Sequence, residues 1–371
     1  MSASQDSFSK HGFLPTQDPL TQFDPESKFS LLDEVGRDLP SRLLEADFRR
    51  FAALLTIPEW PDEQLSLDIL PELRLYFVRL AFLASAYVNQ VGQPAVSSLP
   101  ANLAVPLTRV ANILSVPPIL NYAGYALYNW KRFDKKQGVE LGNIDTIQNF
   151  VHLYDEHWFI LIHVEIEAQA AVILAAVEIF HAEITSTGAI SETIINTQLQ
   201  LIATCLAQLL RVLKRIPERM SPNLYFKVFR PYIRFFEKVK FLGVKQQPMN
   251  YRGETGAQSS IMPVLVHLMK IEHKRSILVD HLQEIRQHMP PTHRQFIENI
   301  SHLPDIKPYA EPEVFDQVLE LIAQFREVHF EWAKEYIHKH VKDSRGTGGT
   351  PYMHWLKQLI DETRERKHDK G

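Results

Sequence analysis

The sequence predicts an all-α fold: a large helical bundle with a smaller, mostly helical domain at its N-terminal end. Apolar residues recur at three- and four-residue steps through most of the chain beyond residue 144. Only 14 glycines occur among 371 residues, so long stretches run without the residue that most often interrupts a helix. No alternating run is long enough for a sizeable sheet. A content of 45% apolar and 23% charged residues suits a large core and two domains. The charged, glycine-containing linker 131–142 places the division, giving 1–135 and 136–371.

Taken in order, residues 1–40 are rich in proline and aspartate (Pro15, Asp18-Pro19, Asp24-Pro25, Leu39-Pro40) and read as an extended arm. Leu43, Leu44, Phe48, Phe51 and Leu54 have helical spacing, and a second helix runs from about Glu72 to Asn89, with Pro58, Pro61 and Pro71 between them. Residues 93–118 are broken by proline, serine and glycine, and 119–130 form a tyrosine-rich segment. The helices expected beyond the linker cover 144–184, 191–215, 222–241, 259–288, 313–340 and 351–365. The tail from Arg364 is a solvated helix end.

A net charge of −4 argues against a general nucleic-acid binder. The single cysteine, Cys205, rules out an intramolecular disulfide and fits a reducing compartment; its apolar run marks it as a buried small residue. The N-terminus lacks the basic-then-apolar pattern of a signal peptide. The apolar stretch 158–180 contains His163, Glu165, Glu167, Gln169 and Glu178, too many polar groups for a bilayer span. A cytoplasmic protein with no membrane and no nucleic-acid partner is the expectation.

In helix 313–340, Phe315, Leu319, Ile322, Phe325, His329, Trp332 and Tyr336 share an apolar face. A histidine there is either a core residue bonded to carbonyls or an axial ligand to a haem iron. Arg326, one turn earlier, would pair with a haem propionate in the second case. Glu178-Ile-Phe-His181 and Glu335-Tyr-Ile-His338 have the spacing of di-iron carboxylate bundles, but chance pairs are expected with 16 histidines. Arg230 precedes Pro231 inside an aromatic segment, so a kink is expected there. Phe226, Arg230 and Ile233 share one face, and a guanidinium on it calls for an anion, either a protein carboxylate or that of a substrate. Three glycine- or proline-marked segments remain: Arg252-Gly-Glu-Thr-Gly-Ala-Gln-Ser-Ser260, Met289-Pro-Pro-Thr-His-Arg294 and Gly346-Thr-Gly-Gly-Thr-Pro351. The third lacks the lysine and preceding strand of a phosphate loop and reads as a lid.

The collinear order of Pro117-Pro-Ile-Leu120, Asn129-Trp-Lys131, Arg230, Gly253 with Gln258-Ser-Ser260, Met289-Pro-Pro-Thr-His-Arg294, His329 with Glu335-Tyr-Ile337, and Gly346-Thr-Gly-Gly-Thr350 with Leu356-Lys357 resembles the indoleamine 2,3-dioxygenase family, in a bacterial-type member. The resemblance implies one haem b per chain with His329 as its proximal ligand. It also implies a substrate carboxylate held by Arg230 and Thr347, with Gly346 in the same loop, and a loop over the haem at Thr255 and Gly256. Tyr122, Tyr225, Phe226 and Ile233 fall where the family lines its distal pocket. Aligning the distal helix on Glu165 puts His157 and Leu161 at two further pocket positions, beside Trp158, and His157 would then bond dioxygen or an indole nitrogen. The activity implied is insertion of dioxygen across the C2–C3 bond of L-tryptophan or a related indole to give N-formylkynurenine, with an electron donor keeping the iron ferrous. Differences in the distal wall leave open a haem enzyme acting on another tryptophan derivative without ring cleavage; a haem carrier or sensor is a third possibility.

Overall fold

The computed structural model describes residues 8, 10–61, 66–188, 191–244, 247–340 and 353–368. Helices dominate, as expected. The N-terminal part holds α1 (Leu31–Arg42), α2 (Phe48–Leu54), α3 (Leu70–Val88) and α4 (Ala101–Ile113). The remainder holds α5 (Tyr154–Gln169), α6 (Ala171–Thr187), α7 (Glu192–Leu213), α8 (Pro222–Leu224), α9 (Ile261–Leu268), α10 (Ile277–Ile285), α11 (Pro291–Ser301), α12 (Pro312–Tyr336) and α13 (Met353–Glu365).

Two apolar clusters form the core. The first surrounds α3, which is buried on all sides from Leu73 to Val88 and packs against α1 and α4. The second lies among α5, α6, α7, α9, α11 and α12. Ile160, Leu161 and Val164 of α5 belong to the first cluster, while Trp158, Ile162 and Ile166 belong to the second. This helix is therefore the wall between them. Buried Cys205, as expected of a small core residue, directs its thiol to the Gln169 carbonyl at 3.2 Å.

Several boundaries differ from expectation. Residues 31–42 are helical despite Pro40, and 101–113 despite Pro106. The expected helix 144–184 begins at Tyr154, because Ile144–Thr146 (β3) pairs antiparallel with Trp130–Arg132 (β2). The expected helix 222–241 ends at Ile233, and Phe236–Phe241 (β4) is a strand with Phe236, Val239 and Phe241 turned to the core. Pro231 supplies the break. Strand β4 pairs parallel with Ser98–Leu99 (β1) and antiparallel with Met249–Tyr251 (β5). The expected helix 259–288 is interrupted between α9 and α10.

The segments Tyr154–Ser186 and Glu192–Glu218 are long and apolar enough to cross a membrane by length and composition, and the first is mostly buried inside the fold.

Candidate functional site

His329 lies on α12, whose apolar side packs against α7. Trp332 Nε1 donates to the Leu213 carbonyl at 3.2 Å and Tyr336 Oη to that of Met220 at 2.8 Å, which fixes the rotation of the helix. The His329 side chain is exposed on α12. Loss of solvation, with His163 adding to it, lowers its pKa to about 4. The ring is therefore neutral at pH 7, and no hydrogen bond engages it among the described residues. A neutral, accessible imidazole with a free lone pair has the chemistry of an axial haem ligand.

His163 of α5 is the residue that answers His329. Its Nδ1 lies 2.7 Å from the Phe159 carbonyl, which can only accept, so Nδ1 carries the proton. Burial depresses its pKa. The imidazole is neutral, and Nε2 remains as an acceptor. Nε2 lies 3.8 Å from where a Cβ on Gly256 would stand.

The loop containing Gly256 is held from three directions. Gly253 packs so closely on the Arg230–Ile233 turn that a Cβ would sit 2.3 Å from the Ile233 carbonyl oxygen. The Glu254 N–H donates to that same oxygen at 3.1 Å. Gln258 accepts from the Tyr122 N–H at 2.7 Å and donates to the Gly253 carbonyl at 2.9 Å. Thr255, expected at the same loop, accepts from the Ala257 N–H and caps a short 3-10 turn.

Aromatic residues gather around His163. Tyr122 meets His163 edge-on at 5.8 Å, and Phe159 meets Tyr225 at 5.5 Å. Tyr225 also contacts Phe229 and Tyr336. Residues 225–229 form a π-helical turn, and 230–233 a 3-10 turn after it. Such turns insert an extra residue and re-aim the side chains that follow, often at functional sites. Arg230 is buried there, its guanidinium 5.2 Å from the Phe226 ring centroid. Ile233, also buried, belongs to the first core cluster.

Beneath Tyr122 lies a buried acid. Glu167 accepts from Tyr122 Oη at 2.9 Å and from Ser259 Oγ at 2.6 Å, and its second oxygen is buried with no hydrogen-bond partner among the described residues. Burial outweighs those two bonds and raises its pKa to about 7. Glu254 and Glu156 are likewise buried and pushed up to about 8 and about 7.

The distal residues placed by aligning on Glu165 need correction. His157 turns to the β2–β3 hairpin, where Nδ1 lies 2.8 Å from Asp145 Oδ1 and 2.9 Å from Thr146 Oγ1. Trp158 Nε1 donates to the Arg215 carbonyl at 3.0 Å, and its ring lies under Arg215 and Arg219. Leu161 is buried in the first core cluster. At 3.6 residues per turn these three point about 120°, 140° and 160° away from His163 around α5, whereas Phe159 is only about 40° from it. Glu167, not Glu165, is the glutamate buried beside Tyr122. Phe159, His163 and Glu167 at four-residue spacing were the signal available in the sequence.

Arg326 is also placed differently. It donates to the Leu359 carbonyl at 2.7 Å and to Thr363 Oγ1 at 2.5 Å, joining α12 to α13. Gly346 and Thr347 lie outside the described residues. The turn at 289–294 acts as a pin: His293 Nδ1 lies 3.2 Å from Ser260 Oγ, Arg294 donates to the Ser115 carbonyl at 3.1 Å, and Asn121 to that of His288 at 3.2 Å. Among the described residues no group of three or more His, Cys, Asp or Glu could hold a metal ion by itself. Glu335, of the second Glu-x-x-His pair, bonds Lys339 on the surface.

A helical bundle presenting one unengaged imidazole to a second histidine, edged by aromatic rings and a buried arginine, has the build of a haem protein that also binds a small organic ligand. The family model for indoleamine 2,3-dioxygenase matches residues 5–366, and the chain belongs to that family. It is 28% identical over 330 residues to a human protein named indoleamine 2,3-dioxygenase 2, covering 79% of each chain. The indoleamine 2,3-dioxygenase of Saccharomyces cerevisiae is 27% identical, with 95% of this chain and 90% of the yeast protein covered. A 6-hydroxytryptophan 2,3-dioxygenase of Fusarium equiseti is 24% identical over 95% of both chains. The protein is thus a haem-dependent dioxygenase acting on tryptophan-like indoles with dioxygen.

Proposed function

We propose that the protein inserts both atoms of dioxygen across the indole C2–C3 bond of L-tryptophan to give N-formylkynurenine. In this reading one haem b per chain is held by His329, and a cellular electron donor keeps its iron ferrous. The bound haem supplies dioxygen activation. Opposite it, His163 Nε2 accepts the indole N–H, which is possible because Nδ1 already holds the ring proton. Arg230 takes the amino-acid carboxylate, and the aromatic edges of Tyr122, Phe159, Tyr225 and Phe226 hold the flat ring. Thr347 and Gly346, which the resemblance places at the same carboxylate, are assigned to its binding. His157, Trp158, Leu161 and Arg326 have no part in substrate contact. The division into 1–135 and 136–371 is kept as a proposal, with His163, Arg230 and His329 on the larger part.

The observation that carries this reading is that His163, its Nδ1 bonded to a carbonyl, lies near enough to His329 to help lower its pKa. Incubating the reduced, haem-loaded protein with L-tryptophan and oxygen should give N-formylkynurenine by mass spectrometry. The relative named for 6-hydroxytryptophan supports one alternative, an indole substituted on its ring. Turnover of such an indole with tryptophan inert would replace the first reading with the second.

A further inference from the structure

Arg74 stands on the second turn of α3, under the N-terminal arm and on the part of the molecule built around the first core cluster. Its guanidinium lies 4.7 Å from the Tyr128 ring centroid, and its Nε is buried with no hydrogen-bond partner among the described residues. Two other arginines nearby show the usual arrangement. Arg79 pairs with Asp33 at 2.9 Å, and Arg132 takes both oxygens of Asp18 at 2.8 and 3.0 Å. Asp18 is the only carboxylate lining the space beside Arg74 among the described residues, and Arg132 already engages it.

That space is a cavity of about 170 Å³, walled by Pro15, Pro19, Leu70, Leu75 and Tyr128. Burial lowers the pKa of His11 on the arm, with Lys10 and Arg132 adding to the effect and Asp18 opposing it. Burial likewise takes His293 to about 3, with Arg74 adding to the effect. A partly desolvated guanidinium without a counter-ion is costly, and a carboxylate offers it two parallel hydrogen bonds. Cavities of about 150 Å³ are large enough to take up benzene.

We propose that this cavity is a second binding site, separate from the haem cleft, for a small carboxylate whose apolar body is about one ring in size. The carboxylate pairs with Arg74, and the ring lies between the prolines of the arm and the leucines of α3.

The test uses the full-length, haem-loaded protein carrying Arg230→Ala, which removes the other carboxylate clamp. Phenylacetate is titrated by calorimetry, with phenylacetamide as its uncharged counterpart. Saturable phenylacetate binding is expected. The amide, and phenylacetate with Arg74→Gln added, should each bind at least about tenfold more weakly, as loss of a charge-assisted hydrogen bond requires. Leu70→Trp fills the cavity without touching the charge and should abolish binding, so the question stays decidable if the Arg74 variant folds poorly. Absence of saturable binding in the Arg230→Ala background overturns the proposal. So does affinity unchanged by both Arg74→Gln and Leu70→Trp.

Discussion

Helices α12 and α5 carry His329 and His163 but are built differently. On α12 the buried residues Phe315, Val318, Leu319, Ile322, Ala323, Ala333 and Tyr336 follow one stripe, and His329 beside it makes no hydrogen bond among the described residues. On α5 buried residues occur all round the helix, and its polar groups are tied: His157 to Asp145, His163 to the Phe159 carbonyl, Glu167 to Tyr122 and Ser259. Helix α12 thus offers one unbonded imidazole on an ordinary amphipathic helix, among the described residues. Helix α5 is a wall of hydrogen-bonded groups at the joint of two cores. Ligation calls for one free lone pair, whereas recognition of an indole calls for acceptors fixed in direction.

Four tests would break or sharpen that contrast. His329→Ala has the largest effect expected: haem content per chain should fall to background in the absorption spectrum while the far-ultraviolet dichroism is kept. Retained haem with an unchanged ferrous–carbonyl spectrum would remove His329 as the ligand. Next, Arg230→Ala should raise the KM for substrate about 100-fold, the scale of a lost buried charge pair, with haem content intact. Equal loss of haem would make the arginine structural.

The third test sets two histidines of α5 against each other. His163→Leu should raise KM about tenfold, the worth of one directed hydrogen bond, and shift the ferrous–carbonyl stretching frequency. His157→Leu should leave both unchanged and lower stability by less than about 1 kcal/mol, as a partly exposed pair does. The reverse pattern would restore the alignment on Glu165. The smallest effect concerns Glu167, whose folded pKa of about 7 exceeds its ordinary 4.5. The native state holds this proton more tightly than the unfolded state, so stability falls as pH rises from about 4.5 towards 7 and is flat beyond. Glu156 and Glu254 act with the same sign. Glu167→Gln should reduce the slope of the denaturation midpoint against pH in that window; an unchanged slope would show the carboxyl to be ionised in the fold.

The same contrast explains what could be read from the residues. A one-sided helix carries its own phase, so the spacing of Phe325, His329 and Trp332 was readable on α12. The glycines at 253 and 256 and the kink at Arg230 were legible because they answer backbone demands. Helix α5 is apolar on every side, so composition gives no phase. Its two candidate glutamates stand two residues apart, and choosing Glu165 over Glu167 rotates the helix by about 200°. That choice brought His157, Trp158 and Leu161 to the cleft and turned Phe159 and His163 away. The strand at 236–241 was hidden for a related reason: aromatic residues before Pro231 continue in type beyond it, and pairing with residues as distant as 98 and 251 is invisible to a local pattern. The link from Arg326 to α13 was hidden because no local spacing connects α12 to α13.

The state of Cys205 has a practical consequence. Burial raises its thiol pKa to about 12, so at neutral pH it carries almost no thiolate and reacts slowly with maleimides or disulfide reagents. The chain behaves chemically as though it had no cysteine. A thiol placed at an exposed position such as Leu44 or Phe133 would be the only one to accept a fluorophore or spin label, with no background substitution needed.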